Sequence, residues 1–155
     1  MFSSSDFRAF TYNELQGTQY IEIASTPGNE KISVWGKNSL YFSDTVFSLV
    51  FSYPLHNSSE KYDLFGFCEF SVDEQANLVK ELSKNGENID RLGSYEDIIN
   101  FSQRDGNEFQ FEDIIPMDNQ EISKIIKAMN DINVLMGRFV EESIRKGNIL
   151  SVLGL

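Results

Sequence analysis

Residues 118–147 read DNQEISKIIKAMNDINVLMGRFVEESIRKG, and this stretch decides the fold. Ile122, Ile125, Ile126, Met129, Ile132, Met136, Phe139, Val140 and Ile144 recur at three- and four-residue steps, which puts them on one stripe of an α-helix. Pro116 precedes the start, and Asp118 with Glu121 three residues on supplies an acidic cap. Lys146-Gly147 closes the stretch with a basic last turn and a glycine stop. A helix with a single apolar stripe must bury it, so the stripe reads as core lying across one face of a sheet.

Upstream, the first third reads as that sheet. Ile21 and Ile23 alternate with Glu22 in a strand from Tyr20 to Ser25. Thr26-Pro27-Gly28-Asn29 reads as a hairpin turn into a second strand, in which Ile32 and Val34 alternate with Lys31 and Ser33. Leu40 to Tyr53 fits both periods, and its β-branched and aromatic content favours a strand. Pro54 to Asp63 reads as a polar loop, and Leu64 to Phe70 as a strand apolar enough to be central.

Ser71 and Glu74 form a capping box before Leu78, Val79 and Leu82, with Asn85-Gly86 as the stop. Ser94 caps a short helix carrying Tyr95, Ile98, Ile99 and Phe101, and Arg104-Asp105-Gly106-Asn107 is a turn. Glu108 to Glu112 alternates strictly, as a strand near a sheet edge with its acids in water. The apolar end, Ile149 to Leu155, packs back on the core, with dimerisation as the alternative. The expected fold is α+β, one domain over residues 1–155. An N-terminal, mainly antiparallel sheet is covered by the long C-terminal helix and shorter helices.

Of the 155 residues, 41% are hydrophobic and 24% charged, which places the chain among globular rather than disordered sequences. The net charge of −11 is unevenly spread. Residues 1–58 carry 3 − 5 = −2, residues 59–115 carry 5 − 14 = −9, and residues 116–155 carry 5 − 5 = 0. An acidic middle third argues against binding nucleic acid phosphates or an anionic membrane directly, and suits a basic protein partner, with solubility alone as the alternative reading. The start, Met1 to Asp6, lacks the basic and apolar regions of a signal peptide, and there is no apolar run of about 18 residues. A cytoplasmic, membrane-free protein, monomeric or weakly dimeric, is expected.

The residues make no case for an enzyme. Cys68 is the single cysteine and sits in an apolar run, so it reads as a buried small hydrophobe. His56 is the single histidine and reads as a solvated loop side chain. Glu96-Asp97 and Glu112-Asp113 are adjacent, but neighbours diverge on a helix or strand and make no carboxylate pair. Asp105-Gly106-Asn107-Glu108 lacks the ligand spacing of a calcium loop, and the glycines lack phosphate-cradling spacing. No catalytic residue, metal site or cofactor is expected.

The acidic, aromatic segment Glu87 to Asp113 and the Trp35-Gly36 turn, in a small chain of strands followed by a long C-terminal helix, resemble the immunity proteins of bacterial contact-dependent growth inhibition and related polymorphic toxin systems. The resemblance implies binding to a cognate toxin domain, often a nuclease, and blocking its active site or substrate groove. Glu87, Asp90, Glu96, Asp97, Asp105, Glu108, Glu112 and Asp113 are the expected charge source, with Tyr95 as the anchor. The alternatives are a nucleic-acid-mimicking inhibitor of a host enzyme, of the phage or plasmid type, or a small-ligand protein or enzyme with a pocket between sheet and long helix.

Overall fold

The computed structural model describes residues 3–17, 19–32, 34–62, 66–104 and 118–154. Within them the fold is α+β, with a four-stranded antiparallel sheet and four α-helices. The strands are β1 (Tyr20–Thr26), β2 (Leu40–Ser43), β3 (Phe67–Phe70) and β4 (Ile149–Gly154), in the order β2-β1-β4-β3. The helices are α1 (Asp44–Ser58), α2 (Val72–Asp90), α3 (Tyr95–Ser102) and α4 (Asn119–Arg145).

The expected long helix is α4, capped by Asp118, whose carboxylate accepts from the Glu121 N–H at 2.8 Å. It packs against α2 and the sheet, with Ile122, Ile125, Met129, Ile132, Met136 and Val140 buried. The apolar end packs back as expected, and it does so as β4, a central strand between β1 and β3. Ile21, Ile23, Phe42, Cys68, Phe70, Leu150 and Val152 form the sheet's contribution to the core, so this face meets the helices.

Several readings are corrected. The described residues from Lys31 to Trp35 form no strand; β1 pairs instead with β2, in the register Glu22↔Tyr41, across a connection over residues 27–39. Leu40 to Tyr53 turns from strand to helix at Ser43, whose hydroxyl accepts from the Val46 N–H at 3.3 Å. Val46 to Ser52 are all buried, so α1 is a core helix apolar all round, and such a helix carries no one-sided period to betray it. His56 therefore lies on a helix, its ring edge-on to Tyr62 at 4.9 Å. β3 is an edge strand rather than a central one, and its Phe67 is 57% exposed. The strand expected over Glu108–Glu112 lies outside the described residues.

Helix α2 runs through the expected stop at Asn85-Gly86, because both residues serve the packing of helices. Pro54, inside α1, has no N–H to offer the Val50 carbonyl four residues earlier. The Asn85 amide takes that role, donating to the Val50 oxygen at 2.9 Å and to Asn133 Oδ1 at 2.9 Å. Asn133 in turn donates to the Leu82 carbonyl at 2.9 Å. Asn85 Oδ1 accepts from Arg104 Nη1 at 2.7 Å, and the Arg104 guanidinium lies over Phe101 at 3.6 Å and Tyr53 at 4.5 Å. Burial lowers the Arg104 pKa to about 10. A methyl on Gly86 would meet Asn133 Nδ2 at 3.2 Å, so glycine lets α4 approach α2 closely here.

The other sheet face is closed by the N-terminal segment and the 27–39 connection. Phe10 bridges to Tyr41, and its ring packs edge-on against Tyr20 at 5.7 Å. Glu22, the polar residue between Ile21 and Ile23 in β1, is 0% exposed. Its carboxylate accepts from the Trp35 N–H at 2.8 Å, the Gly36 N–H at 2.6 Å and the Tyr41 hydroxyl at 3.0 Å. The Tyr41 oxygen also lies 2.6 Å from the Gly36 carbonyl, so one hydroxyl proton faces two acceptors. Burial, reinforced by the Glu22 carboxylate, holds the Tyr41 phenol above its ordinary range. Trp35 has φ of 60° and stacks on Tyr41 at 6.2 Å. That left-handed backbone costs roughly 1–2 kcal/mol, while each hydrogen bond to a charged acceptor contributes roughly 1.5–3 kcal/mol. The carboxylate wins, and the connection is pinned.

Candidate partner-binding surface

Two of the residues expected to bind a partner, Glu87 and Asp90, lie on the exposed side of α2 and line a groove between α2 and α4. The groove encloses about 730 Å³. Leu82 and Val79 form part of its floor, and Glu87, Asp90 and Glu141 stand around it against a single cation, Arg138. Asp90 accepts from Asn130 at 2.9 Å, which fixes one wall by a bond between the two helices. Val134, also in the lining, is 50% exposed, and the adjacent Leu135 is exposed as well.

Gly137 lines the groove from the α4 side. It sits in the interior of α4, where glycine costs roughly 1 kcal/mol relative to alanine. A Cβ at this position would have nothing within 4 Å, so the packing of the described residues does not demand glycine. Gly86 across the groove differs, since Asn133 crowds it. The bare backbone at Gly137 leaves room for a partner's side chain to approach the helix closely.

The remaining expected site residues separate. Glu96 is exposed in the first turn of α3, where a carboxylate is favoured by the helix dipole. Asp97 is engaged locally, accepting from the Gly93 N–H at 2.8 Å while its own N–H donates to the Ser94 hydroxyl at 3.1 Å. Tyr95, expected to be the exposed anchor, is half-buried and packs against the core. Asp105, Glu108, Glu112 and Asp113 lie outside the described residues. The structure thus brings Glu87 and Asp90 to one groove and places Tyr95, Glu96 and Asp97 on the next helix.

Sequence reasoning missed Glu141, Val134 and Gly137. A signal for Val134 existed: it is apolar yet falls off the stripe of α4, which places it on the solvent side. Among the described residues no group of three or more histidine, cysteine or acidic side chains could hold a metal ion. Cys68 is buried in the core, and no described helix is long and apolar enough to cross a membrane. No protein-family model, curated protein or solved structure matches the chain.

Proposed function

We propose that this chain binds and neutralises a basic bacterial toxin domain, in the manner of an immunity protein, through the α2–α4 groove, with the exposed Glu96 of α3 adding to the acidic charge. One observation carries the reading: exposed acids from the most acidic third of the chain border a groove that also presents the exposed side chain of Val134 and a bare helix backbone at Gly137. Such a surface has the two parts a tight binder needs. Carboxylates speed encounter with a positive partner, and desolvated apolar contact slows release. A nuclease domain presents the matching surface, because its phosphate-binding groove is basic.

The test uses a purified partner captured from the native host. Reversing Glu87, Asp90 and Glu96 together to lysine is expected to slow association by about tenfold or more at low salt, and to flatten its salt dependence. All three side chains are exposed, so the fold should persist. Unchanged association would mean that these acids serve only solubility.

A further inference from the structure

A second concavity of about 600 Å³ lies between the end of β1, the 27–39 connection and the last turns of α4. It differs from the α2–α4 groove in its charge. Lys31, Lys37 and Lys146 line it, in a chain whose net charge is −11. Of the two acids in its lining, Glu142 is already paired by Arg145 and by Lys146 at 3.6 Å. That leaves Glu30 opposing Lys31 and Lys37, neither of which forms an ion pair among the described residues.

The C-terminus of α4 brings roughly half a negative charge to this end. Lys31, Lys37 and Lys146, with Arg145 beside them, slightly outweigh that charge together with Glu30, Glu142 and the buried Glu22 carboxylate behind Gly36, so the local balance is weakly positive.

The walls are fixed before any ligand arrives. Asn148 donates to the Ser25 hydroxyl at 3.0 Å, and Ser25 donates to the Ser143 hydroxyl at 2.9 Å, tying β1 to the end of α4. The opposite wall contains Gly36, whose N–H is held by the buried Glu22 carboxylate. Half-buried Phe139 adds an apolar surface beside the charged rim. Preformed clefts of roughly 300–1,000 Å³ suit small molecules, and the mostly polar lining here suits a polar one. Lysine ammonium groups are point charges suited to phosphate oxygens.

We infer that this cleft binds a small phosphate monoester, of the size of a nucleoside monophosphate or sugar phosphate. The lysines meet the phosphate, and the Phe139 side takes the base or sugar. This site stands independently of the partner-binding reading, since it uses none of the groove residues.

Calorimetric titration of the full chain at low salt with adenosine monophosphate, ribose 5-phosphate, inorganic phosphate and citrate tests it. At least one monoester is expected to bind with submillimolar affinity and more tightly than inorganic phosphate. The exposed pair Lys31→Glu and Lys37→Glu, combined, should weaken that binding by about tenfold or more. The single variant Lys37→Ala, followed by backbone NMR shifts, provides the same test should the double variant misfold; its shifts should map to β1 and the end of α4. Absence of binding by both monoesters at millimolar concentration would overturn the inference. So would binding of citrate alone, or monoester binding that the lysine variants leave unchanged.

Discussion

Replacing Glu22 with alanine is expected to destabilise the protein by about 3–5 kcal/mol, a large part of a typical domain's stability. The loss has a specific origin. Without the carboxylate, the Trp35 and Gly36 N–H groups lose their acceptor, and the Tyr41 hydroxyl loses one of its two. The left-handed backbone at Trp35 then has only the stacking on Tyr41 to offset its cost. Glu22→Gln should fall between, at about 2 kcal/mol, because its NH₂ would face a backbone donor where an oxygen now accepts. Trp35 is the chain's single tryptophan, so its emission reports on this connection without interference. Denaturant titration should show a lower midpoint, and the native-state emission of Glu22→Ala should shift to the red. A cost below about 1 kcal/mol with unchanged emission would show that the clamp holds nothing.

The second large effect is expected at Asn85, where Asn85→Leu should cost about 3–5 kcal/mol. Leucine keeps the branching of the side chain, is bulkier, and leaves three groups short of a partner. These are the Val50 carbonyl freed by Pro54, Asn133 Oδ1 and the Arg104 guanidinium. The link to Pro54 makes the explanation separable from simple loss of packing. Pro54→Ala restores an N–H that can close the α1 hydrogen bond to Val50. In that background Asn85→Leu should cost less, with a coupling of about 1–2 kcal/mol in a double-mutant cycle. Additive costs would mean that Asn85 does not substitute for the missing helical bond.

These two sites also mark where sequence reasoning stopped. The α4 helix was legible because its apolar residues keep one period and its ends carry cap and stop residues. The start of α2, the Ser94 cap and strand β1 were legible for similar local reasons. Helix α1 was not, because burial on every side erases the contrast between faces that reveals a helix. Asn85-Gly86 looked like a stop because its amide and its missing side chain answer to Pro54 and Asn133, residues distant in sequence. The burial of Glu22 was not legible, because strand alternation identifies the second face of a sheet but not what covers it.

The candidate site divides in the same way. The uneven distribution of charge pointed to the segment that holds Glu87 and Asp90, without separating them from the other acids of that segment. The groove itself arises only when Gly137 and Glu141 of α4 are brought opposite them, which no local pattern encodes.

Gly137→Leu tests the central claim most directly, because it fills the groove while improving the helix. The substitution adds a side chain whose Cβ meets nothing within 4 Å, and leucine is the stronger helix former. Thermal stability should therefore be equal or higher. The decisive measurement is retention of a partner from native-host lysate at low and then moderate salt, by wild type and by this variant in parallel. The account predicts one basic partner held stoichiometrically by wild type and inhibited in its own activity, and lost by a folded Gly137→Leu. No retained partner, or one held equally by both proteins, would contradict it.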